Sequence, residues 1–164
     1  MQIIKKLWLL FLLGLTTNIP ALAQNSKDTM SLKNAVNKFI QAVDSGKIED
    51  VIAFYDDDFK SIRVVDEGPL IKMDRQQMIY FWKMITSKNP SGGAGPNRQQ
   101  IIAQNTTIHY TEVTGDTGYT LMTRIKNFGS GPETVFYNLV WHFTGNHWQL
   151  VREIVHQHTL PKAF

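Results

Sequence analysis

The second half of this chain constrains the fold more than any other feature. From Gln99 to His158 it alternates side-chain classes with a period of two, which marks strands with two chemically different faces. Residues 148–158, WQLVREIVHQH, show it best: Trp, Leu, Arg, Ile, His and His fall on one side, and Gln, Val, Glu, Val and Gln on the other. Turn signals break the run at TGDTG (114–118), GSGP (129–132) and GN (145–146), the last a good two-residue hairpin turn. Before it the spacing is helical. Leu32, Val36, Phe39, Ile40 and Val43 share one helical face from Ser31 onward, and Ser45-Gly46 closes that helix. A shorter helix with Val51, Ile52, Phe54 and Tyr55 follows, broken by DDDF, and Lys60–Val65 reads as a short strand. Asp74 and Gln77 form a capping-box pattern ahead of a third helix with Met78, Phe81, Trp82 and Ile85 as its apolar stripe. Helices first and strands later predict an α+β domain, with the sheet covered on one face by the helices.

Turn length predicts which side chains look inward. With Gly145-Asn146 as the loop, Phe143 pairs with Trp148 and Trp141 with Leu150. The same count pairs Leu139 with Arg152, Tyr137 with Ile154 and Val135 with His156. Burying this face stabilises more, at roughly 1.5–3 kcal/mol per large apolar side chain, so Arg152, His156 and Tyr137 are expected on the helix side. His142, Asn138, Gln149 and Glu153 are expected outside. If Gly115-Asp116 is the preceding turn, Ile108, Tyr110, Leu121, Thr123 and Ile125 form the greasier, inward set, and His109, Met122 and Arg124 face out.

The N-terminal segment MQIIKKLWLLFLLGLTTNIPALAQ has Lys5 and Lys6, the apolar run Leu7–Leu15, and Ala21-Leu22-Ala23 before Gln24. That is the pattern of a secretory signal peptide, with cleavage after Ala23. The run is about half the roughly 20 residues a membrane span needs. The chain divides into a leader (1–23), a polar frayed stretch (24–30) and one domain (31–160), expected in the periplasm or outside the cell. Two of the 17 lysines and arginines leave with the leader and no acid does, so the remaining bases and acids nearly balance. With no basic run, nucleic acid is not an expected partner. The absence of cysteine excludes disulfides, thiolate catalysis, thiolate metal sites and lipidation after the leader.

Several patterns bear on chemistry. An inward Arg152 cannot stay unpaired, because a buried lone charge costs several kcal/mol. Either Asp56, Asp57 or Asp58 pairs with it, or it grips a ligand carboxylate in the bidentate manner of guanidinium. His156 and His158 share a face, but no third ligand has metal-site spacing, so no metal is expected. Asp56-Asp57-Asp58 lacks the alternation and Gly of a calcium loop. SKNPSGGAGPNR (87–98) has no Walker Lys-Ser/Thr and reads as a flexible loop.

The order helix, helix, FYDDDF, strand, Asp-capped helix ending FWKMI, then long strands closing on W-x-L-V-x-E-I-V-H resembles the nuclear transport factor 2-like superfamily. That group includes SnoaL-like and ketosteroid-isomerase-like proteins, and the resemblance spans about residues 30–158. It implies a strongly curved antiparallel sheet of about four to six strands wrapped around three helices as a cone. The open mouth holds a small, mostly apolar ligand, and the outer sheet face makes a homodimer. Isomerase members use a Tyr and an acid as an oxyanion hole with a carboxylate base. Here Glu153 is expected outside, and Glu112 is the carboxylate nearest an inward position. The expectation is a small-molecule-binding protein for an apolar or carboxylate-bearing molecule, with no cofactor. Tyr55, Trp82, Tyr110 and Arg152 would line the pocket. The alternatives are an isomerase-, dehydratase- or cyclase-type enzyme with His156 as base and Tyr137 as hydroxyl donor, or a non-catalytic dimerising module.

Overall fold

The computed structural model describes residues 27–66, 68–86, 103, 105–127 and 131–158; the leader, the 87–98 loop and the start of the strand region at Gln99 lie outside them. Helix α1 (Thr29–Ser45) begins earlier than the frayed stretch allowed, because Asp28 caps it. The Ser31 backbone N–H donates to Asp28 Oδ1 at 2.7 Å, and the Asp28 N–H donates to Ser31 Oγ at 3.1 Å. Its buried stripe is Leu32, Val36, Phe39, Ala42 and Val43, and Gly46 ends it in the left-handed region at φ 68°. A short helix, α2 (Ile48–Ile52), leads into β1 (Tyr55–Val65). DDDF therefore lies inside a strand: Tyr55 already pairs with Leu150, and the register is irregular between Tyr55 and Lys60.

A four-residue strand, β2 (Ile71–Asp74), precedes α3 (Arg75–Thr86). The capping box forms as expected, with Asp74 Oδ1 accepting from the Gln77 N–H and Gln77 Oε1 from the Asp74 N–H, both at 2.9 Å. Met78, Trp82 and Ile85 are its buried face. The remaining strands are β3 (Asn105–Thr114), β4 (Thr117–Asn127), β5 (Pro132–Phe143) and β6 (Trp148–Gln157). They form one curved, unclosed six-stranded sheet in the order β2-β1-β6-β5-β4-β3. Neighbours are antiparallel except β1 and β6, which are parallel.

The helices pack into the hollow of the sheet. Phe39 meets Phe54 edge-on at 5.6 Å and Trp141 at 5.8 Å between ring centroids. Leu32 sits so close to β4 that a Cβ on Gly118 would stand 2.5 Å from its Cδ2. Both indoles of the last hairpin are inside, Trp141 at 0% and Trp148 at 3% exposure.

Two bulges decide the rest. At the β5–β6 turn the predicted pairs Phe143–Trp148 and Trp141–Leu150 form. Val151 then has no partner, and Val140 pairs with Arg152, Leu139 with Glu153, Tyr137 with Val155 and Phe136 with His156. One extra residue inverts the faces of the last strand. Arg152 and His156 therefore stand on the outer face, and Glu153 and Gln157 are buried. In the β3–β4 hairpin the Gly115-Asp116 turn is correct, but His109 is bulged and the expected choice of face fails. Thr120, Met122, Arg124 and Lys126 are buried, while Tyr110, Tyr119 and Leu121 are exposed.

Candidate functional site

The inner face of the sheet is polar toward one end. β1 contributes Ser61 and Arg63, β4 contributes Thr120, Arg124 and Lys126, and β6 contributes Glu153 and Gln157, all buried. The register brings β1 and β6 side chains together in pairs. Ser61 lies opposite Glu153 and donates its hydroxyl to Oε1 at 2.7 Å. Arg63 Nη1 donates to Gln157 Oε1 at 3.0 Å, and its guanidinium lies 6.0 Å from the Phe81 ring centroid. Arg124 donates to Asp44 of α1 and, through Nε, to Thr106 Oγ1 at 3.2 Å. Lys126 Nζ lies 5.3 Å from the centre of the Tyr137 ring.

Among the described residues no salt bridge reaches Arg63 or Lys126. The buried Arg63 Nε and Thr120 Oγ1 have no hydrogen-bond partner there either. Buried polar atoms are almost always satisfied, so the Arg63 Nε–H is a donor that the described residues leave unmet.

Two tyrosines share this interior and are pushed in opposite directions. Burial, and then the Glu153 carboxylate, hold the Tyr55 phenol well above its ordinary value, against the Trp82 indole that donates to Tyr55 Oη at 2.7 Å. For Tyr137 burial also pushes upward, but Lys126, Arg124 and Arg63 outweigh it and bring the phenol below the ordinary tyrosine value. Burial lowers the Lys126 amine, with Arg124 and Arg63 adding to the effect and Tyr137 opposing it.

The residues singled out from sequence separate into two groups. Tyr55, Trp82 and Tyr137 are buried inside. Tyr110 is 47% exposed, on the outer face, and Glu112 beside it accepts from its hydroxyl there. Arg152 is exposed on the outer face, not inward as expected, and among the described residues it pairs with none of Asp56, Asp57 and Asp58. His156 Nε2 and Asp66 Oδ1 are 2.7 Å apart on the outer face, His158 also contacts Asp66, and no interior base is left at position 156. Sequence reasoning missed Arg63, Arg124, Lys126 and Glu153. The β4 alternation Thr120, Met122, Arg124, Lys126 was visible, but reading the greasier side as the core turned it outward.

No family model matches the sequence, and no curated protein matches it. Solved structures do. An NTF-2-like protein of unknown function from Silicibacter pomeroyi superposes with a TM-score of 0.58 at 12% identity, covering 79% of this chain and 94% of that one. One from Shewanella oneidensis gives a TM-score of 0.59 at 10% identity, covering 78% and 98%. A ketosteroid isomerase-like protein from Erwinia carotovora atroseptica gives 0.55 at 12% identity, covering 80% and 97%. With α1, α2 and α3 held in the hollow of a curved six-stranded sheet, this chain has the NTF2-like fold.

Proposed function

We propose that the protein binds a small organic anion inside the sheet, with the acid group on Arg63 and the apolar part against Tyr55, Trp82 and Tyr137. The observation that supports this most is the buried Arg63 guanidinium, whose Nε has no partner and which has no carboxylate beside it among the described residues. Calorimetry with pentanoate and with 1-pentanol tests it. The acid binds and Arg63→Met weakens it by about 10- to 100-fold, the worth of a charged hydrogen bond. Equal binding of the alcohol would sink the reading. Native mass spectrometry of protein from its source would show the co-purified ligand and the subunit number together.

Opposed tyrosines favour a second reading, an isomerase- or dehydratase-type reaction. Groups whose surroundings drive their titration apart are suited to acid and base roles, Tyr55 keeping its proton and Tyr137 accepting one. Solvent deuterium entering a bound ketone beside its carbonyl, and lost in Tyr137→Phe, is the expected signature.

The outer face supports a homodimer. Phe136, Leu121, Ile154, Tyr110 and Tyr119 are exposed there, each 37% or more. One row across the strands reads Lys60, Arg152, Val140, Tyr119, Glu112. A two-fold axis along the strands sets the basic edge of one copy against the acidic edge of the other and the apolar centre on itself. Export rests on Lys5, Lys6, the Leu7–Leu15 run and Ala21–Ala23, and predicts secreted material beginning at Gln24.

A further inference from the structure

The amine of Lys126 is an interior group that anion binding does not use. It is 8% exposed, lies on the inner face of β4, and has the Tyr137 ring as its neighbour with no carboxylate in ion-pair contact among the described residues. Glu133 stands across from it in the register, but that carboxylate accepts from the His158 backbone N–H at 2.5 Å. Arg124 and Arg63 act on it from the same face. An ammonium in such a place is stranded among cations, whereas a neutral amine is not, and a neutral amine is a nucleophile.

We infer that Lys126 is a reactive amine that forms a reversible imine with a small oxo acid, a ketone or aldehyde whose carboxylate sits on Arg63. The inference rests on the anion-binding reading and assigns the carbonyl chemistry of the same interior. The nitrogen lone pair attacks the carbonyl carbon, and the carbonyl electron pair moves to oxygen, which takes the Tyr137 hydroxyl proton. The added nitrogen returns a proton to the phenolate, giving a neutral carbinolamine. Nitrogen then expels the hydroxyl, which leaves as water with the Tyr137 proton, and a protonated C=N bond remains. Amine and carbonyl give imine and water, with no oxidant or reductant. The lowered lysine value agrees with the role of nucleophile.

Reductive trapping tests this on the full protein. With 4-oxopentanoate and cyanoborohydride, whose hydride fixes the imine as a secondary amine, peptide mass mapping should find the adduct on Lys126. A buried amine with no carboxylate in ion-pair contact is more often neutral than a solvated one, so Lys126 should be labelled faster than exposed Lys33 and Lys72. Pentanoate should protect it, and Lys126→Met should lose the adduct. If pentanoate binds by calorimetry but labelling favours the exposed lysines, the imine is overturned and anion binding stands. If pentanoate does not bind, anion binding is overturned and the imine with it.

Discussion

Tyr55 and Tyr137 lie on the same buried face, yet their phenols answer to different neighbours. Tyr55 faces Glu153 and accepts a hydrogen bond from Trp82, while Tyr137 faces Lys126 and Arg124. An ultraviolet titration should therefore show one phenol ionising below the ordinary tyrosine range, and Tyr137→Phe should remove that step. The effects on stability have opposite signs. Tyr137 has a folded value below its unfolded one, so it adds stability above the unfolded value, and that stability is lost as pH falls through the folded value. Tyr55 has a folded value above its unfolded one, so its contribution is full below about pH 10 and is lost as pH rises through the folded value. Tyr55→Phe is expected to flatten the alkaline fall in melting temperature, and Tyr137→Phe to steepen it.

At the scale of the element, the Val151 bulge selects the residues of the interior. Deleting Val151 would set Arg152 directly after Leu150 and restore an uninterrupted register with the faces kept: Arg152, Ile154 and His156 stay outside, and Glu153, Val155 and Gln157 stay inside. Ser61–Glu153 and Arg63–Gln157 are therefore expected to survive the deletion, and its cost to stay below the roughly 3–5 kcal/mol of burying an unpaired Arg152. Chemical denaturation would measure it, and a loss of that size would contradict the role given to the bulge. This is also where legibility in the sequence stops. Turns, caps and the helical stripes are local patterns, and Gly145-Asn146, Asp74–Gln77 and Leu32–Val43 formed as read. A bulge leaves no mark in alternation, because an extra half-buried valine among valines looks like any other. The polar interior misled for a different reason. Choosing the greasier face assumes that burial alone decides orientation, and β4 buries Arg124 and Lys126 where Asp44, Thr106 and Tyr137 can meet them.

For the whole molecule, the two faces of the sheet carry different chemistry: the inner one adds a polar end to the apolar core, and the outer one sets exposed apolar groups between charged edges. Single exposed apolar residues are ordinary, but Phe136, Leu121 and Ile154 are neighbours across three strands. Phe136→Lys is expected to convert a dimer to monomer in sedimentation velocity without changing the melting cooperativity. A wild type that sediments as a monomer at all concentrations would remove the outer face as an interface.

The pairing of β1 with β6 joins the first strand to the last, through Ser61–Glu153 and Arg63–Gln157. Contacts this distant along the chain form late, after their loops close. The ten residues of β6 must therefore be made before Arg63 meets its partner or β1 gains its inner neighbour. Until then the growing polypeptide has helices and a meander but neither of these pairs, so the anion cradle proposed above is complete only once β6 has docked on β1.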